Sequence, residues 1–315
     1  MKRKLRSIIA AVTAALMFVI QPLSAGAAGT SVKVTDRIAV TTAEELAAVT
    51  GSGTYYIYQD IDLAGFDWKG ISDFSGTLYA YNYSVIKNLT SSDCGLFRKL
   101  SSGARIDNIH IENAKITTGT QMLGGLVSYI PAGSKDVRIT NCSVNGMVST
   151  TYQGSSTKNY CGGIAGVVSA EDCVISGCSS SAFVCGVLGE GGIAGLNRGT
   201  ISECVFTGCA MNSLNLPPED PNEIKTEEYH ISAATGGICG VNYGTIENCT
   251  VLFSECGSAF YLGLVSGVNI KGRGVIKDSR GLKFGRWSDD GDSEYIAECA
   301  NTVKAGTYSK FVKGL

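Results

Sequence analysis

One short element, repeated seven times, limits what this chain can fold into more than any other feature. It reads Ile86-Lys-Asn-Leu89, Ile106-Asp-Asn-Ile109, Ile139-Thr-Asn-Cys142, Ile175-Ser-Gly-Cys178, Ile201-Ser-Glu-Cys204, Ile246-Glu-Asn-Cys249 and Ile276-Lys-Asp-Ser279. A glycine-apolar element comes before most copies, as Gly95-Leu-Phe, Gly124-Gly-Leu-Val, Gly162-Gly-Ile-Ala-Gly, Gly191-Gly-Ile-Ala-Gly, Gly236-Gly-Ile-Cys-Gly and Gly263-Leu-Val-Ser-Gly. Counted from those residue numbers, the isoleucine anchors lie 20, 33, 36, 26, 45 and 30 residues apart. A fixed element at a variable interval means constant rungs joined by loops of different length.

The strands so marked are short, end in glycine or asparagine, and have no helical period between them, which disfavours strand-helix-strand units. The remaining way to satisfy such a backbone is a solenoid, each coil pairing in parallel with the next about 4.8 Å away. Asn197, Asn242 and Asn269 recur in Gly-x-Asn. They are expected at sharp corners, in the left-handed conformation that asparagine tolerates, with their amides hydrogen-bonded along the stack. The glycines are expected to turn the same corners. An open end needs a cover. Residues 41–50, "TTAEELAAVT", supply one, with Thr42 and Glu45 as a capping box and Leu46 and Val49 on one helical face. The stretch from Lys283 is expected to close the other end.

Lys2, Arg3, Lys4 and Arg6, an apolar run to Ile20, Pro22 and Ala25-Gly-Ala27 form a secretory signal peptide, residues 1–27. The mature chain then holds 26 − 4 = 22 bases against 28 acids, a net charge of −6. No cluster of lysine and arginine is present for phosphate binding, so nucleic acid is not an expected partner. No later segment reaches the ~20 apolar residues of a spanning helix, so no membrane span is expected in the mature chain.

The segment "YYIYQDIDLAGFDWKGISDFSGTLYAYNYSVIKNLT" (55–90), followed by Gly95-Leu-Phe and the Gly-Gly-[Leu/Ile] elements, resembles the GLUG-motif proteins of exported bacterial chains. Their repeats also occur in adhesins and IgA-protease-type proteins. The resemblance spans roughly residues 40–282. It implies an all-β fold, a single-stranded right-handed parallel β-helix (solenoid) over residues 28–282 with a short N-terminal capping helix, and a C-terminal cap or tail at 283–315. Where that family has Asp-Gly-Asn-Gly this chain has Tyr79-Ala-Tyr-Asn82, so that corner is expected to be reshaped.

The twelve cysteines are the first candidates for chemistry. Cys142, Cys178, Cys204 and Cys249 stand where other copies place Leu89 and Ile109, which makes them a column of buried thiols. Cys185, Cys209 and Cys256 follow at similar offsets and suggest a second column. Parallel stacked side chains match disulfide geometry poorly, so disulfides are expected at loop cysteines such as Cys161 or Cys173. With no C-x-x-C and only His110 and His230, no metal site is expected, and no cofactor. His110 reads as a satisfied surface or corner residue, and no local signature marks a Cys-His pair. "GEGGIA" (189–194) has the form of a dinucleotide fingerprint but leads into a strand rather than a helix. The carboxylates Asp60 and Asp62, and Asp289, Asp290 and Asp292, read as solvated surface.

What remains are the interruptions. The insertion "NSLNLPPEDPNEIKTEEYH" (212–230) carries three of the five prolines and five acids. Long loops on a rigid scaffold are where binding concentrates. Its Glu219, Asp220, Glu227, Glu228 and Tyr229, with Tyr152 and Gln153 of the 150–160 insertion, are the candidate binding residues. The expected function is that of a secreted, surface-associated, non-enzymatic adhesin-like protein, whose partner is a host or cell-surface protein or glycan. The alternatives are a carbohydrate-active enzyme (polysaccharide lyase or glycosidase) built on a β-helix, and a structural stalk.

Overall fold

A computed structural model describes residues 37–151, 159–212, 234–257, 261–270, 272–287 and 293–296. Among them the structure is all-β with parallel sheets and one five-residue helix. The chain visits four sheets in a fixed cycle. From Ala194–Asn197 in a six-stranded sheet it passes to Thr200–Ser202 in a nine-stranded sheet, then to Val205–Phe206 and Cys209–Asn212 in a twelve-stranded sheet. Ala234–Gly236 in a five-stranded sheet follows, and Cys239–Asn242 lands beside Ala194–Asn197 to begin the next turn. Because each segment pairs with its own equivalent one turn away, the arrangement fits a parallel β-helix.

The isoleucine anchors show how the repeat specifies this. Leu78, Ile106, Ile139, Ile175, Ile201, Ile246 and Ile276 stand in direct register through the nine-stranded sheet. Leu78 and the five isoleucines from 106 to 246 are fully buried, because alternate residues of a strand point to the same side. Ile86, which the sequence pattern aligns with them, belongs elsewhere: it lies in the twelve-stranded sheet between Ile61 and Ile111. The element at 86–89 therefore mimics the rung motif from a different sheet, and Leu78 fills the place that motif assigned to Ile86.

The corners also differ from expectation. Asn197, Asn242 and Asn269 are not left-handed; they end extended strands and are buried. Their amides do stack: Asn197 Nδ2 donates to Asn242 Oδ1 at 2.9 Å, and Asn242 Nδ2 to Asn269 Oδ1 at 2.8 Å. The left-handed corner is the residue before the cysteine column, with φ of 55° at Asn108, 54° at Asn141, 61° at Gly177, 55° at Glu203, 53° at Asn248 and 44° at Asp278. Asparagine, aspartate and glycine recur there because they reach that region at least cost.

The glycines of Gly-Gly-x-x-Gly serve close approach instead of turning. A Cβ on Gly191 would lie 2.0 Å from the Ala194 carbonyl oxygen, and one on Gly195 would lie 2.7 Å from the Cys161 amide nitrogen in the opposite sheet. The five- and six-stranded sheets thus meet almost backbone to backbone. Ile164, Ile193 and Ile238, between the glycines, fill the wider part of the interior and are fully buried.

At the N-terminal end Thr42 caps the helix Ala43–Ala47, its Oγ1 accepting from the Glu45 amide at 3.2 Å. Only half of the capping box forms, since the Glu45 carboxylate turns to the Thr41 amide and hydroxyl at 2.7 and 2.8 Å. Leu46 and Val49 enter the continuous core. At the other end Arg280–Trp287 continues the parallel ladder on Thr250–Gly257 as far as Gly285, and pairs antiparallel with Ser293–Ile296.

Cys142, Cys178, Cys204 and Cys249 carry free, buried thiols that follow Ile109 in one column. Each Sγ donates to the carbonyl two residues back, at 3.1 to 3.4 Å. Ser279, next in the column, does the same at 2.9 Å and accepts from the Cys249 amide as the Cys178 sulfur accepts from that of Cys142. The position therefore takes a small group able to bond a carbonyl. Cys185, Cys209 and Cys256 form no second column. They sit in three different registers, Cys185 beside Met211, Cys209 beside Phe183 and Cys256 beside Ala210. Cys161 and Cys173, expected in loops, are buried strand residues with free thiols. Burial pushes the Cys173 thiol up to about 12 and raises Cys161 and Cys239 as well. Neighbouring thiols in the column together with burial raise Cys178, Cys204 and Cys249. Iodoacetamide at pH 8 is therefore expected to leave these four column cysteines unlabelled in the native protein and to label them after denaturation, read by peptide mass spectrometry. Native labelling at Cys178 or Cys204 would contradict the buried column.

Candidate binding surfaces

The seven residues proposed from sequence as a binding set, Tyr152, Gln153, Glu219, Asp220, Glu227, Glu228 and Tyr229, lie outside the described residues, as do His230 and Asp289, Asp290 and Asp292. Their attachment points are described, and they share one place. Residues 152–158 join Ser143–Thr150 to Tyr160–Gly162, and residues 213–233 join Cys209–Asn212 to Ala234–Gly236. Both connections run from the twelve-stranded to the five-stranded sheet. The intervening turn makes the same passage in two residues, Val187 and Leu188.

That two-residue turn is the hub to which both insertions are fastened. The Val187 amide donates to Asn159 Oδ1 at 3.4 Å and the Gly189 amide to the Asn159 carbonyl at 2.9 Å. From the other side, Asn212 Nδ2 donates to the Val187 carbonyl at 2.8 Å, and the Ala234 amide to the Leu188 carbonyl at 2.6 Å.

Beneath the turn sits Glu190, fully buried. Its Oε2 accepts from Thr235 Oγ1 at 3.0 Å and Asn212 Nδ2 at 3.1 Å. The Leu188 backbone amide also favours its charge, yet among the described residues no group meets Oε1 at hydrogen-bond geometry. Burial outweighs these donors and pushes the carboxyl up to about 8. Asn159, also fully buried, likewise has no partner for its Nδ2 among the described residues. The corner joined to both insertions is thus a buried polar nest, separate from the Asn197–Asn242–Asn269 ladder.

Sequence reasoning passed over Glu190 because it read "GEGGIA" only as a failed nucleotide motif. Register shows the missed signal. The residue before each Gly-Gly forms one inward column of Leu123, Cys161, Glu190 and Thr235, and a carboxylate in such a column is out of place.

A second surface lies near the N-terminal end. Tyr56 and Tyr79 are register partners on the outer face of the nine-stranded sheet, with rings stacked at 6.1 Å. Tyr58 and Tyr81 each lie 5.9 Å from Tyr56, and Tyr79 and Tyr81 meet edge to face at 4.9 Å with their hydroxyls 3.0 Å apart. Burial, then the Tyr81 hydroxyl, raises the Tyr79 phenol, while the Arg37 guanidinium opposes them. At the corner that follows Tyr79, Asn82 and Tyr83 both turn left-handed, at φ 54° and 56°.

The remaining candidates are engaged in structure. Asp60 accepts from the Val85 amide and Lys87 Nζ, and Asp62 from the Ala64 amide and Asn88 Nδ2. Hydrogen bonds from Lys87 and Asn88 hold these two carboxyls below the usual range. His110 is half-buried between Ser143 Oγ at 2.8 Å and Asn108 Oδ1 at 3.0 Å, and burial lowers its pKa. Among the described residues no group of three or more His, Cys, Asp and Glu is placed to hold a metal ion. No helix among them is long and apolar enough to cross a membrane.

Neither a protein-family model nor a curated protein matches the sequence. Among solved structures the chain is similar to one from Bacteroides ovatus described as a "putative immunoglobulin A1 protease". The TM-score is 0.61 at 21% identity, over 85% of this chain and 80% of that one. At that identity the likeness shows a shared fold, all-β with parallel sheets.

Proposed function

We propose that this chain is an exported right-handed β-helical solenoid of the GLUG kind. Its helix Ala43–Ala47 covers the first coil, and it acts as a non-enzymatic, adhesin-type interaction protein. One corner of the stack, to which residues 152–158 and 213–233 are both joined, meets a host or cell-surface protein or glycan through those two insertions. The observation that supports this reading is the common anchorage: Asn159 and Asn212 fasten the two insertions to the same Val187–Leu188 turn, on opposite sides of it. A rigid base under two neighbouring insertions lowers the ordering cost of binding through both. The carboxylates that meet bases on the neighbouring sheet face are taken up in ion pairs, as in Arg138 with Asp136 at 3.1 Å and with Asp172 at 3.6 Å, which favours binding over acid-base chemistry there.

Replacing residues 213–233 by a two-residue turn like Val187–Leu188 tests this. Saturable binding to host matrix proteins or cell-surface glycans is expected to fall at least tenfold in a surface plasmon resonance screen, with the melting curve retained. Undiminished binding would remove the insertions from the function.

A further inference from the structure

The outer face of the nine-stranded sheet is chemically ordered along its length. Beside the stacked tyrosines comes a band of ion pairs in which Arg105, Asp136, Arg138 and Asp172 neutralise one another. Asp107 there is held by the Thr140 hydroxyl at 2.6 Å and Asn141 Nδ2 at 3.1 Å. Farther on, one outward column carries Ser176 and Ser202, and the next runs Val174, Thr200, Thr245 and Val275. Glu247 then stands directly opposite Lys277. The face is flat, regular at the strand spacing, rich in hydroxyl partners, and balanced in charge.

We propose that this face is a glycan-binding strip, on which a neutral polysaccharide lies along the stacking axis with sugar rings resting on Tyr56, Tyr58, Tyr79 and Tyr81. Three observations select that occupant. Tyr58 and Tyr81 are 47% and 42% exposed although each packs against Tyr56, so ring faces and edges are offered to solvent on a rigid base. The electron-rich face of a phenol attracts the polarised C–H groups of a pyranose, and its hydroxyl bonds the ring substituents. Among the described residues beyond the tyrosines, the outward valines Val174 and Val275 are separated by Thr200 and Thr245, so they stand singly among the serine and threonine rows that suit sugar hydroxyls. With Arg37 at the tyrosine end, four bases (Arg37, Arg105, Arg138 and Lys277) stand against four acids (Asp107, Asp136, Asp172 and Glu247), so the strip has no surplus of either sign, which disfavours polyanions and selects a neutral chain. This strip lies away from the corner that carries residues 152–158 and 213–233, and the inference stands independently of their role.

Affinity electrophoresis of the purified full chain tests it, in native gels cast with galactomannan, arabinoxylan, mixed-linkage β-glucan or polygalacturonate. Retardation by at least one neutral polysaccharide is expected. Tyr58→Ala/Tyr81→Ala should weaken it tenfold or more, with an unchanged melting curve since both side chains are substantially exposed. Phe183→Ala, on the twelve-stranded sheet, and replacement of residues 213–233 should leave it as in the parent. Absence of retardation by every neutral polysaccharide, equal retardation of the double variant, or stronger retardation by polygalacturonate would each overturn the proposal. Loss of retardation only in the 213–233 replacement would assign the binding to the insertions instead.

Discussion

Glu190→Gln is expected to abolish most of the pH dependence of stability between pH 5 and 8. The carboxyl titrates near 8 in the folded chain against an ordinary value of 4.5. Below 4.5 both states are protonated and Glu190 has no effect on the slope. Between 4.5 and 8 the unfolded chain releases its proton while the folded chain retains it, so stability falls as pH rises. Above 8 both are ionised and the loss is complete. At about 1.4 kcal/mol per unit, that interval corresponds to roughly 5 kcal/mol, and to a melting temperature lower by on the order of 10 °C. Glutamine preserves the acceptor for Thr235 and Asn212 and removes the charge. His110, held neutral by burial, acts with the opposite sign in part of the same window. It is present in both proteins, so the difference between their curves isolates Glu190. The carboxyls held low by hydrogen bonds, Asp60, Asp62, Asp73 and Asp136, lose their stabilisation only as pH falls through the acid range. Calorimetric scans from pH 4 to 9 supply the measurement, and an unchanged slope in the variant would show that Glu190 is not the titrating group.

Gly191→Ala is expected to be among the most damaging single substitutions in the chain. The added methyl would lie 2.0 Å from the Ala194 carbonyl oxygen and 2.8 Å from the Cys239 Cα, both backbone atoms held in ladders on either side. Neither can move without breaking register with the next coil. The cost should therefore reach or pass the ~3 kcal/mol upper range of ordinary overpacking, seen as loss of soluble protein or a large drop in urea midpoint. Gly119→Ala provides the contrast, since a Cβ there meets nothing within 4 Å, and it should be neutral or slightly stabilising. Similar stability of the two variants would refute the close-approach account of the glycine motif.

Much of this architecture was legible in sequence because a solenoid writes the same inward residue once per coil. Five isoleucine anchors from Ile106 to Ile246 are in register and buried, and the cysteines of Ile-x-x-Cys form the column their interchange with Ile109 implied. The pattern misled where two sheets share a short motif. Ile86-Lys-Asn-Leu89 has the right residues in the wrong sheet, and Cys185, Cys209 and Cys256, which follow the cysteine column by 7, 5 and 7 residues, fall into separate registers. One residue of offset moves a side chain to the other face, and loop lengths that set the offset leave no periodic trace.

Local sequence by itself determined which of the anchor residues face inward and that the chain would stack in coils. Each depends on a residue's own conformational range and on the two-residue period of a strand. Only the tertiary structure decided that Gly191 and Gly195 serve sheet contact rather than turning, that Asn159 and Asn212 reach one turn from opposite sides, and that Glu190 lies in an apolar interior. These are relations between residues tens of positions apart. Their distances are set by how many residues each coil spends in its loops, and a single chain read end to end does not contain that sum until the coils are laid on one another.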